Sequence, residues 1–197
     1  MAPSLSTARL LLRPFVAADL EPFAALNAHP LVIEWLGFSR TRAESDALAE
    51  AINAEIEREG WGFWAVEVVG SEPFIGMVGL HRVDATYPFA PAVEIGWRLD
   101  PAHWGRGYAI EAAAASLRHG LTGGLEEVVA FTAAENLRSR AVMAHIGMVR
   151  DPAADFDHPG LPADSPLLHH VLYRAHGAHT PGTGTSGTGP GTGHAAA

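Results

Sequence analysis

Residues 93–124 leave this chain little conformational freedom. Val93-Glu-Ile-Gly-Trp-Arg-Leu99 has the apolar and β-branched character of a strand, and Asp100-Pro101 ends it. Trp104-Gly-Arg-Gly-Tyr108 then places two glycines ahead of an alanine-rich helix, Ala109–Leu121. In that helix Ile110, Ala113, Ala114, Leu117 and Leu121 form one stripe before Gly123-Gly124 stops it. A strand running through a glycine loop into a helix aims several main-chain N–H groups, and the positive end of the helix dipole, at one spot. Glycine lets the backbone approach an anion with no Cβ in the way. A pyrophosphate is the natural occupant, with Arg106 offering a charge-assisted contact.

Other phosphate-binding loops fit poorly. A P-loop needs Gly-Lys-Ser/Thr, and the chain has no lysine at all. A dinucleotide fingerprint needs a third glycine inside a βαβ unit, whereas the strands before Val93 read as antiparallel.

The surrounding segments define the fold class. Strands are expected at 9–13, 61–69, 74–83, 92–99, 127–132, 148–150 and 168–175. Helices are expected at 19–28, 41–60, 109–121 and 136–146. Thr41-Arg-Ala-Glu44 has capping-box spacing, and Ala47, Leu48, Ala51, Ile52 and Ile56 are read as that helix's buried face. Successive strands followed by strand–helix–strand–helix–strand describe an α+β domain with a mixed sheet, over residues 1–176. Residues 177–197 are Gly, Thr, Pro, Ser and Ala apart from two histidines, with almost nothing to bury, and are expected to be a disordered tail.

Composition narrows the function. In 197 residues, 13 basic against 22 acidic side chains give a formal charge of −9, which disfavours nucleic acid and anionic membranes as partners. The absence of cysteine removes thiolate metal sites and a Cys nucleophile. No signal peptide or membrane span is evident, so a cytoplasmic location is expected. Gly-x-Ser-x-Gly occurs nowhere in the folded region, which argues against a serine hydrolase. Eleven histidines invite a metal, but His169-His170 point to opposite faces of a strand and no His-Glu-x-x-His helix exists, so no metal is expected.

A second motif, Asn136-Leu-Arg-Ser139, opens a helix that closes at Gly147. Together with Glu94-Ile-Gly-Trp97, Trp104-Gly-Arg-Gly-Tyr-Ala109 and the opening Thr7-x-Arg-Leu-x-Leu-Arg13, it makes the chain resemble the GNAT family of acetyl-CoA-dependent N-acyltransferases. More narrowly, it is similar to the RimJ/RimL-like branch. The resemblance covers roughly residues 7–176. It implies a mostly antiparallel mixed sheet splayed into a V and flanked by helices, with acetyl-CoA as co-substrate in the cleft. Pantetheine would lie along the strand at Ile95, Gly96 and Trp97. The pyrophosphate would sit on the turn of Trp104, Gly105, Arg106, Gly107, Tyr108 and Ala109. Asn136 would contact the cofactor arm, and Ser139 would lie near the thioester sulfur.

Acyl transfer to an amine requires that the amine lose a proton and that the leaving thiolate be stabilised. Glu94 stands where several relatives carry a catalytic glutamate, and is either that base or a structural carboxylate paired with neighbours. Many relatives use a tyrosine acid seven residues beyond the asparagine, but that position here is Met143. Ser139 is then the remaining donor, with Tyr108 and Tyr173 as lesser choices. Trp35, His81 and His158 are assigned to the acceptor side, their ordinary reading being packing or a satisfied buried histidine. The reaction expected is direct attack of a primary amine, a protein N-terminus or a small molecule, on acetyl-CoA, by a monomer or homodimer. The rival is a non-catalytic acyl-CoA-binding sensor, favoured by Met143 and opposed by Glu94 with Ser139.

Overall fold

The computed structural model describes residues 3–177. Nine strands form one sheet: β1 (Leu5–Ser6), β2 (Leu10–Arg13), β3 (Phe63–Val68), β4 (Gly76–Arg82), β5 (Val93–Leu99), β6 (Glu127–Ala133), β7 (Val149–Arg150), β8 (Phe156–Asp157) and β9 (His169–His176). Their order is β1-β2-β3-β4-β5-β6-β9-β7, with β8 also on β9. Every pairing is antiparallel except β5 with β6.

Five helices cover the sheet: α1 (Leu20–Asn27), α2 (Pro30–Leu36), α3 (Arg42–Glu59), α4 (Tyr108–Thr122) and α5 (Leu137–His145). Thr41 and Glu44 close the expected capping box on α3. The Thr41 N–H donates to the Glu44 carboxylate at 2.7 Å and the Glu44 N–H to the Thr41 hydroxyl at 3.3 Å, a device worth about 1 kcal/mol. The face that α3 buries differs from the expected one. Ala47 and Ala51 are exposed, and Ser45, Ala49, Ile52, Glu55 and Ile56 are buried. Two polar groups lie on that face because they serve partners on other elements, which apolar spacing does not register.

Helix α2 is absent from the sequence expectation. Pro30 occupies its first turn, where a missing N–H is harmless, and His29 Nδ1 accepts from Leu31 N–H as its cap. Strands β1 and β8, two residues each, were too short for periodicity to reveal. The expected tail lies outside the described residues apart from Gly177, whose N–H donates to the Glu126 carbonyl at 2.9 Å. Trp64, Phe23, Leu10, Leu12, Ile56 and Leu80 are fully buried and anchor the core, each burial contributing about 2 kcal/mol.

Alternation along β5 gives the sheet two distinct sides. Glu94, Gly96 and Arg98 face α1 and α3: Asn27 of α1 bonds Arg98, and Glu55 of α3 pairs with His81, the register partner of Glu94. Ile95 and Trp97 face the other way. Leu80, the register partner of Ile95, packs against Gly120 of α4 on that side.

Candidate active site

The parallel pair β5–β6 meets at a single register position, Glu94 with Val129. Beyond it the strands part, while β5 remains fully paired to β4. The free edge of Ile95–Leu99 therefore borders a cleft of about 1050 Å³ that passes through the sheet. Peptide N–H and C=O groups on such an edge are open to an extended ligand.

One end of the cleft is the glycine turn. Gly105 and Gly107 have φ of 74° and 79°, a left-handed conformation that side-chain-bearing residues resist. The first bond of α4 runs from Glu111 N–H to the Gly107 carbonyl at 3.1 Å, and no side chain caps the preceding N–H groups. Trp104 Nε1 donates to the Leu99 carbonyl at 2.8 Å, with the Arg138 guanidinium 4.9 Å above its ring, so the turn is strapped to the end of β5. Glu111 anchors it from behind: Thr7 Oγ1 and Arg9 Nε each donate to its carboxylate at 2.6 Å, and Arg9 Nη1 donates to the Arg106 carbonyl at 3.0 Å. The Arg106 side chain is exposed and is not among the residues lining the cleft.

In mid-cleft, Asn136 Oδ1 accepts from Ser139 N–H at 3.1 Å and so caps α5. Trp97 Nε1 donates to Ser139 Oγ at 3.3 Å across the V. That bond engages the serine oxygen and leaves its hydroxyl proton free for another acceptor. Met143 is buried beside it.

Glu94 lines the cleft from β5. Its surface keeps some exposure to the cleft, yet protein surrounds the carboxyl group. Burial pushes its pKa up to about 7; His81 opposes this and Glu55 adds to it. His81 is the register partner of Glu94 on β4. It is not among the cleft-lining residues: its ring nitrogen pairs with Glu55 at 2.9 Å and 47% of the side chain is exposed. The hydrogen bond its ring donates to the Glu55 carboxylate raises its pKa. It is a satisfied histidine, but a half-exposed one.

Trp35 of α2 and His158 also line the cleft. Gly160 N–H donates to His158 Nδ1 at 3.1 Å, which leaves the proton of a neutral ring on Nε2, 2.8 Å from the Tyr87 hydroxyl oxygen. Burial lowers the His158 pKa, while burial first and then Glu94 push Tyr87 up to about 12. Tyr87 therefore accepts from His158 and keeps its own proton. Sequence reading passed over Tyr87, because nothing local marks a loop tyrosine. Tyr108 lines the cleft beneath Arg9, 4.7 Å from the guanidinium carbon. Tyr173 is buried on β9 with Arg150 over its ring. Asp155 is held by Arg150 at 2.6 Å. Among the described residues no three His, Asp or Glu side chains converge as a metal site, and no helix is long and apolar enough to cross a membrane.

Known proteins share this fold. The family described as "Acetyltransferase (GNAT) domain" matches residues 9–149. A transacetylase of Aspergillus fumigatus, "FsC-acetyl coenzyme A-N(2)-transacetylase", is 33% identical over 154 residues, covering 74% of this chain and 65% of its own length. This chain thus spans just under two thirds of that relative. The crystal structure of an acetyltransferase from Agrobacterium tumefaciens superposes with a TM-score of 0.71 at 29% identity, covering 89% of this chain and 95% of that one. Mycobacterium smegmatis RimJ in complex with CoA-disulfide shares the fold, with a TM-score of 0.71 at 21% identity over 91% and 90% of the two chains. With the family match spanning most of the chain and the cleft built as described, the chain belongs to the GNAT family of acetyltransferases.

Proposed function

We propose that the protein transfers an acetyl group from acetyl-CoA to a primary amine by direct attack. The observation that carries this reading is the single β5–β6 contact at Glu94 and Val129, which opens an unpaired strand edge between a glycine turn and a carboxylate enclosed by protein. The turn's amides at Gly105 to Ala109 suit the diphosphate, and the edge of Ile95, Gly96 and Trp97 suits pantetheine. The cleft volume and the uncapped helix start fit acetyl-CoA, which supplies the activated thioester when bound.

Glu94 takes a proton from the acceptor ammonium, directly or through water, at a pKa suited to neutral pH. Ser139, held by Trp97, donates its free hydroxyl hydrogen to the departing sulfur. Asn136 sets the start of α5 and thereby the serine position. The acceptor class includes protein N-termini and small amines; the relative from Aspergillus fumigatus acts by its name as an N(2)-transacetylase. An amine acceptor, not a nucleic acid or a membrane, is the partner, and the protein works in the cytoplasm as a monomer or homodimer.

Incubation with acetyl-labelled acetyl-CoA and a panel of amines tests this. Labelled amide from at least one amine is expected. Tight CoA binding with no transfer to any amine would instead make the chain a sensor module.

A further inference from the structure

Among the described residues, seven of the thirteen arginines pair with a carboxylate. Arg9, Arg13, Arg82, Arg150 and Arg174 each hold a carboxylate oxygen at 2.6–2.7 Å. Three arginines that line the cleft, Arg40, Arg98 and Arg138, make no ion pair among the described residues, and two of them also carry an idle donor. Arg98 and Arg40 each have a buried Nε with no hydrogen-bond partner. Arg98 donates one bond, to the side-chain oxygen of Asn27. Asn27 donates in turn to Ser45 Oγ at 3.0 Å, and Ser45 donates to the Thr41 carbonyl at 2.9 Å, so that network is neutral throughout. The Arg40 guanidinium lies 5.0 Å from the Phe38 ring centroid. Glu44, which does feel the charge of Arg40, is engaged by the Thr41 N–H and hydroxyl at 2.7 and 2.9 Å.

Arg98, enclosed by protein and bonded to no carboxylate, destabilises the free protein through desolvation, and the half-buried Arg40 adds repulsion. Burial, with Arg40 adding to it, lowers the Arg98 pKa to about 10, so it stays charged at neutral pH. An anion between the two guanidiniums relieves both penalties, and its oxygens match the idle donors.

Position selects the source of that anion. Arg98 shares a strand face with Glu94, four residues and about 13 Å away along β5. That face looks toward α1 and α3, while Trp97, Ser139 and α4 lie on the other. We propose that Arg98 and Arg40 receive an anionic group of the acceptor, so that the preferred substrate is an amine carrying a carboxylate some way from its reactive nitrogen. This rests on the transferase reading and narrows its substrate class. It also runs against the net charge of −9, which by itself would favour a cationic partner.

The test compares 8-aminooctanoate with 8-aminooctanamide, which match in length and differ in charge. The acid is expected to be acetylated with a kcat/KM roughly 10- to 100-fold higher, a ratio that falls toward one in Arg40→Gln and in Arg98→Gln. Should Arg98→Gln fail to fold, Arg40→Gln, on the cleft wall, carries the comparison. Equal use of the two compounds overturns the proposal while leaving the transferase intact. So does a variant that loses affinity for acetyl-CoA by the same factor, because the anion would then be a coenzyme phosphate. If no amine is acetylated, calorimetry on CoA-loaded protein still decides: tighter binding of the acid than the amide, lost in Arg40→Gln, supports the pair, and equal binding refutes it.

Discussion

Replacing Glu94 by glutamine isolates the one buried carboxylate on which the proposed chemistry turns. Its pKa is raised from 4.5 to about 7, chiefly by burial. Between those values the folded state keeps a proton that the unfolded chain has released, so stability falls as pH rises through the window. Below pH 4.5 both states are protonated and the penalty vanishes; above pH 7 it is fully present. At about 1.4 kcal/mol per pKa unit the penalty has an upper bound of roughly 3–4 kcal/mol, and water entering the cleft screens the charge and brings it to about 3 kcal/mol or less.

Glutamine does not titrate. Glu94→Gln should therefore gain on the parent protein as pH rises, starting from a constant offset near pH 4 and reaching up to about 3 kcal/mol more by pH 8. Urea unfolding of both proteins at pH 4, 6 and 8 gives this difference, in which the other carboxylates cancel. Turnover should move the opposite way. The parent's kcat/KM should climb through a pKa near 7, and the variant should lose that limb and most of its rate with acetyl-CoA affinity kept. A flat stability difference would show that Glu94 titrates as an ordinary surface carboxylate. The physical case for it as a base at neutral pH would then fail, whatever the variant's rate.

Three further outcomes are expected. Ser139→Ala should lower kcat about 100-fold with CoA affinity held within a few-fold, and an unchanged kcat would remove the serine as donor to sulfur. Gly107→Ala forces a side chain into φ of 79°, costing about 1–2 kcal/mol of stability by urea unfolding. Calorimetry should show it weakening acetyl-CoA binding about tenfold, and unchanged binding would refute the glycine turn as the diphosphate site. In Glu111, burial acts to raise the carboxyl pKa, but Thr7 and Arg9 hold it below the ordinary value. Its stabilisation is thus present at neutral pH and lost on acidification, and Glu111→Ala should cost about 1–2 kcal/mol at pH 7 and much less near pH 3.

Local chemistry wrote much of this protein into its chain. The Thr41–Glu44 box and the helix opened at Asn136-Leu-Arg-Ser139 are set by neighbours three or four residues away, and both formed as read. The alternation of β5 placed Glu94 and Trp97 on opposite faces for the same reason. The misreadings began where a partner is distant. Ser45 and Glu55 were passed over as buried residues because Asn27 and His81, which they serve, lie on other elements. Arg98 read as one more strand residue; only packing against Asn27 and the approach of Arg40 make it a buried cation lacking a counter-ion. Tyr87 owes its bound phenol to His158, 71 positions further on. Even the cleft is a tertiary product, because no residue of β5 or β6 states that the two strands touch once and then part. Short-range hydrogen bonds and sterics are encoded by adjacent residues, whereas desolvation and charge depend on everything folded around a group, and those long-range terms decide the chemistry.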